Sequence, residues 1–161
     1  IGTKPMLREA IEPLVLLWEE LKGEEERMYK ELNRKIAKKD PEITRLMSVP
    51  GVGPATAAAF VATIDDPGRF KTPEQVASYI GLVPSVYQSG ETEVKGRITK
   101  QGDSLLRWLL VESATVLLTR SKEDFPLRTW GLKLEKEKGF GKARVAVARK
   151  LSPAYRGRSH Q

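Results

Sequence analysis

The segment Gly81–Arg107, GLVPSVYQSGETEVKGRITKQGDSLLR, sets Ser89 in a polar, Gly-rich turn and follows it with Lys95, Arg97, Lys100 and Arg107. A serine hydroxyl is a weak nucleophile unless a base, a metal or fixed positive charge assists it. Cations this close downstream could neutralise phosphate oxygens as charge builds in a transition state, so these residue types suit phosphodiester chemistry. On spacing alone, a solvated turn serine is the commoner account of Ser89. Ser85 and Ser104 are weaker rivals, and helix capping explains Ser104.

Other chemistries find little support. Asp65 and Asp66 could bind a divalent cation, but adjacent carboxylates in a turn seldom converge, and Pro67-Gly68 favours simple turn formation. The one histidine, His160, sits in a basic C-terminal tail expected to be disordered, so a histidine-based triad is not expected. The absence of cysteine removes disulfides, thiolate metal sites and cysteine nucleophiles together. There is no P-loop and no metal-spaced His/Cys set, and no site for a metal is assigned to these residues. Trp18, Trp108 and Trp130 lie on helical patterns and read as core or packing residues rather than base-stacking platforms.

The elements that must position Ser89 follow from the flanking patterns. Thr72-Pro73-Glu74-Gln75 opens a helix with a capping box and a first-position proline, and that helix stops at Gly81. Pro84–Ile98 alternates weakly around Gly90 and Gly96, as a loop or small β-hairpin does. Asp103 or Ser104 caps a helix to about Arg120, and its Leu105, Trp108, Leu109, Val111, Val116 and Leu117 predict a central core helix. Two more helices are expected at about Pro126–Lys138 and Lys142–Leu151.

Upstream, Ile43–Ile64 reads as two short helices about Pro50-Gly51-Val52-Gly53, in the spacing of a helix-hairpin-helix. The glycines allow the turn, Val52 plugs between the helices and Ala57 lets them approach. The amides from Gly51, Val52 and Gly53 to Ala55 would then face outward, where a phosphate can accept them. The alternative is a helical corner that binds nothing. Still earlier, Leu7, Ile11, Leu14, Trp18, Leu21, Met28 and Leu32 follow heptad-like steps broken by Glu25, an arm with a narrow apolar stripe. Pro13 should kink or restart it. The expected class is mainly α: an arm over residues 1–39, a compact unit over 41–151 containing the hairpin at 43–64, and a basic tail over 152–161.

The 161-residue chain carries a net charge of +7, unevenly placed. Residues 1–88 hold 12 Lys and Arg against 13 Asp and Glu, a balance of −1, whereas residues 89–161 hold 16 against 8, a balance of +8. A half this basic suggests contact with a polyanion, most often nucleic acid, although a merely solubilising surface gives the same count. No apolar run is long enough to span a membrane. The chain begins at Ile1, which suggests an internal piece of a longer protein, and the lack of cysteine is compatible with a reducing, cytoplasmic setting.

Three blocks together, VPGVGPATAAAFVATI, RFKTPEQVASYIGLVPSVYQSG and GRITKQGDSLLRWLLVESA, resemble the C-terminal transposase domain of the insertion-sequence one-ten family, over roughly Ile43 to Lys150. These are the DEDD transposases described as bridge-RNA-guided serine recombinases, relatives of the pilin-gene invertases. The resemblance implies that the serine of the Tyr87-Gln88-Ser89-Gly90 turn is the nucleophile that links covalently to DNA. It implies that a RuvC-like N-terminal domain, with four acidic residues binding Mg²⁺, lies outside this chain, which alone would then be inactive. It further implies that residues 1–39 end a coiled coil used for homo-oligomerisation, with DNA and a guide RNA as partners in the bacterial cytoplasm, at the nucleoid. Lys95, Arg97, Lys100 and Arg107 would hold nucleic-acid phosphates, and the amides from Gly51 to Ala55 would anchor backbone. A non-catalytic helix-hairpin-helix binding module and a dimerising helical scaffold are the alternatives.

Overall fold

The computed structural model of the chain describes residues 5–37, 39–89 and 92–154; at Pro5, Ala37, 86–89, 92–95 and 153–154 it is the backbone that is described. The element order is α1 (Pro5–Leu32), a short π-helical continuation (Asn33–Ala37), α2 (Pro41–Leu46), α3 (Pro54–Ile64), a 3₁₀ turn (Pro67–Arg69), α4 (Pro73–Tyr79), β1 (Pro84–Ser89), β2 (Thr92–Ile98), α5 (Ser104–Thr119), α6 (Pro126–Lys138) and α7 (Phe140–Ala154). The protein is mainly α, with one two-stranded antiparallel sheet among the described residues.

Local chemistry sets most of these starts. Pro41, Pro54, Pro73 and Pro126 each occupy a first helical position, where a missing N–H costs nothing and a fixed φ helps. Asp40 Oδ1 accepts from the Glu42 and Ile43 amides at 2.8 and 3.1 Å, and Asp103 Oδ1 accepts from the Leu106 amide at 2.6 Å. Gln75 Oε1 accepts from the Lys71 amide at 2.6 Å, tying back the entry to α4. The Asp65–Gly68 stretch is the expected turn: Asp66 Oδ1 accepts from the Gly68 amide at 2.7 Å.

Helix α5 lies at the centre, packed between α3 on one side and α7 on the other, while α7 also meets α4 and α6. The buried face of α5 is Leu106, Leu110, Ser113, Ala114, Leu117 and Leu118. This corrects the sequence expectation in part. Leu105 and Trp108, expected in the core, are both 58% exposed, and Leu109, Val111 and Val116 are only partly covered. A helix apolar all round gives no phase from its pattern, so which face is buried depends on its neighbours. Trp18, at 60% exposure, is likewise outside the core.

Small residues bring the helices close. Ala57, Ala114, Ala143 and Ala148 are fully buried. A Cβ built on Gly131 of α6 would lie 2.6 Å from Val147 Cγ2 and 2.7 Å from Leu118 Cδ2. Thr56 and Ser113, both buried, share a hydrogen bond of 3.1 Å between hydroxyls and so satisfy each other where α3 crosses α5.

Of the two outcomes expected at Pro13, a restart does not occur: helix α1 runs through Pro13 as a single element. Pro13 removes one backbone hydrogen bond, but its surroundings are exposed, so water can satisfy the freed carbonyl. At the other end, α7 extends to Ala154 with Leu151 and Ser152 fully buried, so the helix takes in the first residues of the expected tail. His160 lies outside the described residues.

Two glycines separate strain from crowding. Gly139, after α6, has φ 83° with open space where a methyl group would stand, whereas Gly81 has φ 78° and a Cβ there would lie 2.0 Å from the Gln101 carbonyl oxygen. Gly139→Ala should lower unfolding free energy by the backbone penalty alone, about 1–3 kcal/mol. Gly81→Ala should lower it by distinctly more, because the obstructing atom is main chain, and urea denaturation of the two variants reads the difference.

Candidate nucleic-acid interface

The hairpin that carries Ser89 is fixed at its root. Leu82 N–H bonds the Ala77 carbonyl at 2.9 Å, Lys100 N–H bonds the Gly81 carbonyl at 3.1 Å, and Thr99 N–H bonds the Val83 carbonyl at 2.9 Å. Gly81 and Gly102, with φ of 78° and 82°, let the outgoing and returning chains touch: a Cβ on Gly102 would sit 2.0 Å from the Tyr79 carbonyl oxygen. Arg107, one turn into α5, donates from Nη1 to the Ile80 carbonyl at 3.1 Å and to the Gln101 carbonyl at 3.2 Å. The guanidinium therefore bridges both legs of the root. Its observed work is to position the hairpin, a role the sequence pattern did not separate from phosphate binding.

From that root β1 and β2 pair antiparallel, with Pro84 opposite Ile98 and Ser89 opposite Thr92. The register shifts by one residue between Pro84 and Val86, so β2 carries a bulge near Gly96-Arg97. The Ser85 hydroxyl donates to the Arg97 carbonyl at 2.9 Å across this bulge, which accounts for Ser85 structurally. Ser89 ends β1, five residues beyond Pro84 and so roughly 17 Å along the strand. Its side chain, like those of Tyr87, Gln88 and Lys95, and the whole of Gly90, lie outside the described residues.

The two short helices flank the Pro50–Gly53 turn as expected, with Ile43, Leu46, Val52, Ala57 and Phe60 buried. The turn is packed inward more than the spacing suggests. Gly51 has φ 88°, and a Cβ there would lie 2.6 Å from the Ser113 carbonyl oxygen of α5. The Val52 amide bonds the Val49 carbonyl at 3.0 Å, and Gly53 lies beside the Tyr29 hydroxyl of α1. Of the four residues singled out there, the Val52 amide is engaged within the turn; Gly53 and Ala55 are partly exposed at the start of α3.

Beside the hairpin lies a feature that the sequence pattern did not foretell. Between β2 and α7 runs an open groove of about 650 Å³. Arg97 and Lys100 line one side; Lys142 and Arg149 of α7 line the other. Its floor is aliphatic, with Leu82, Pro84, Ile98, Val145 and Ala146, and among the described residues no carboxylate lines it. Lys142, Val145, Ala146 and Arg149 are spaced i, i+3, i+4 and i+7, one face of α7. The opposite face, Ala143, Val147, Ala148 and Leu151, is fully buried. The signal was present in KARVAVARK, where two small apolar residues separate two cations on the same stripe. It was hidden because the other basic residues of this helix do something else: Lys150 Nζ lies 4.2 Å from the Trp130 ring centroid, and the Arg144 guanidinium lies 5.8 Å from that of Phe140.

Among the described residues no three His, Cys, Asp or Glu side chains come together as a metal site. No described helix is long and apolar enough to cross a membrane.

A helical body holding a hairpin with a polyanion-compatible groove at its side is consistent with proteins that act on nucleic acid, and comparison with known proteins narrows this. Residues 43–128 match the model of the transposase IS116/IS110/IS902 family. The chain belongs to that transposase family. It is 33% identical over 156 residues to the transposase for insertion sequence element IS1111A of Coxiella burnetii, covering 95% of this chain and 42% of that protein. It is 39% identical over 79 residues to a probable family 20 transposase of Pseudomonas aeruginosa, covering 49% of this chain and 23% of the other. With the transposase for element IS1328 of Yersinia enterocolitica the identity is 33% over 95 residues, 59% of this chain and 28% of that one. The chain thus spans less than half the length of these relatives.

Loss of the Arg107 bridge should loosen the hairpin before the body. Arg107→Met should cost about 1.5–3 kcal/mol of stability, the range for hydrogen bonds involving a charged group. Hydrogen exchange should accelerate selectively at the Thr99 and Lys100 amides while α7 amides keep their order of protection.

Proposed function

We propose that this chain is the nucleophile-bearing part of a DNA transposase, and that Ser89 is the nucleophile. The observation that carries the reading is the placement of Ser89 at the end of β1, opposite Thr92, on a hairpin whose root is locked. Family membership supplies the substrate class, DNA.

In this reading the Ser89 oxygen attacks the phosphorus of the scissile phosphodiester. One phosphorus–oxygen bond to DNA breaks as the serine ester forms, the released sugar hydroxyl takes up a proton, and the serine hydroxyl loses one. The phosphoserine link conserves the bond energy, so a second DNA hydroxyl can reverse the exchange and seal a new junction without an external energy source. Lys95 and Arg97 on β2, with Lys100 just beyond it, hold phosphates of the bound strand away from the reacting one. Arg107 holds the hairpin root rather than the phosphate. The partly exposed turn about Gly51, Gly53 and Ala55 contributes backbone contacts to phosphate without reading sequence. The described residues do not offer a fit for Mg²⁺; a separate acidic domain of the whole transposase would hold the ion, and a guide RNA would direct the complex to its target. In the whole transposase, Ser89→Ala should abolish a covalent protein–DNA adduct trapped on denaturing gels, with DNA affinity changed by less than about threefold. An adduct that persists in this variant would falsify the assignment and leave a DNA-binding module.

The arm fits self-association. Leu7, Ile11, Leu14, Trp18, Leu21 and Met28 repeat at heptad-like steps and are exposed throughout. A second copy of the same stripe would cover them. Replacing Leu14 and Trp18 with Lys should convert an associated chain to monomer in sedimentation equilibrium, without shifting the thermal midpoint of the helical body.

A further inference from the structure

We infer that the groove between β2 and α7 binds an unpaired stretch of a nucleic-acid strand, with its phosphates on the four cations and its bases against the aliphatic floor. The inference rests on the transposase reading for the class of ligand and goes beyond it in assigning the site, the strand state and two further residues, Lys142 and Arg149.

Charge selects a polyanion. Arg97 and Lys100 face Lys142 and Arg149 across the groove, and among the described residues no acidic side chain lines it to compete for them. A surface that merely keeps a protein soluble mixes both signs, which this one does not. The floor then selects among polyanions. Leu82, Pro84 and Ile98 from the hairpin side meet Val145 and Ala146 from α7; Leu82 is buried beneath the floor, and the other four are partly exposed at it. A duplex presents sugars and phosphates outward and would leave that apolar strip against water or polar atoms. An unpaired strand carries apolar base faces beside its phosphates, so it satisfies floor and walls together. Inorganic phosphate or a protein carboxylate would meet the walls but leave the floor unused.

The geometry also places this strand. The groove opens at the hairpin root, and the same β2 that supplies Arg97 runs from there to Thr92, opposite Ser89. A strand seated between Arg97 and Arg149 touches the hairpin and the body at once. Binding therefore joins two parts that are otherwise linked through the root.

The test is titration of the full chain with fluorescein-labelled oligothymidylate, oligouridylate and a blunt duplex of equal length, read by anisotropy across a salt series. The Lys142→Ala/Arg149→Ala variant should bind oligothymidylate or oligouridylate at least tenfold more weakly, with the log–log salt slope reduced by about 1.4, the value for two phosphates of a single strand. Val145→Glu should weaken the same strand comparably at unchanged circular dichroism. Tighter binding of oligothymidylate identifies a DNA strand as occupant, and tighter oligouridylate an RNA strand. Lys136→Ala/Lys138→Ala removes equal charge from α6, outside the groove, and should leave the single-strand slope within about 0.3 of the parent. The inference is overturned if that control weakens binding as much as the groove pair, if the duplex responds to Val145→Glu as the single strand does, or if none of the groove variants changes affinity. Adduct formation by the whole transposase separates the two readings: an intact Ser89 adduct with groove variants that bind normally rejects the groove alone, and lost strand binding with no Ser89-dependent adduct rejects the nucleophile alone.

Discussion

Between residues 79 and 82 the chain passes so close to residues 100–102 that neither Gly81 nor Gly102 has room for a methyl group. The placement of the whole hairpin depends on this crossing. Because the two backbones touch, the Gly81 and Val83 carbonyls can take the Lys100 and Thr99 amides, and one guanidinium from α5 can span both legs. The crossing also sets the direction in which β1 leaves α4, and with it which face of β2 turns toward α7. Tight glycine contact, main-chain hydrogen bonds and a charged staple are three different interactions, and here they converge on a few residues.

The body holds that root from beneath. Helix α7 packs on α4, which leads into the crossing, and on α5, which leaves it. Its buried face is made of small or medium residues, so the helices meet closely and little side-chain freedom remains at the contact. The same helix presents its cationic stripe to the groove. One element thus anchors the hairpin from below and faces whatever lies along it from the side, which is why α7 matters to the site although it carries none of the reactive groups proposed.

Much of this architecture could be read from residue types. Pro73 at a first helical position, the cap at Asp103 or Ser104, and Gly81 as a stop all act through local geometry, and α4, α5 and α6 begin close to where the residue types place them. The hairpin was legible from its alternation and glycines. Three things were not. The phase of α5 was hidden because leucines surround it on every side, so only its partners decide that Leu106 is buried and Leu105 is not. The work of Arg107 was hidden because a cation near a polar turn looks the same whether it meets a phosphate or two carbonyls. The groove was hidden because it joins residues about fifty positions apart, and its four cations belong to no single motif.

A hairpin fixed tightly at its base behaves as a pointer. With the tip roughly 17 Å from the root, a tilt of about 5° at the base displaces the tip by about 1.5 Å. On the proposed reading, misplacement on that scale is enough to slow attack by Ser89 about a hundredfold. The closeness of Gly81 and Gly102 is therefore an angular tolerance as much as a packing detail: a contact too narrow for one methyl group governs aim at the far end of the hairpin.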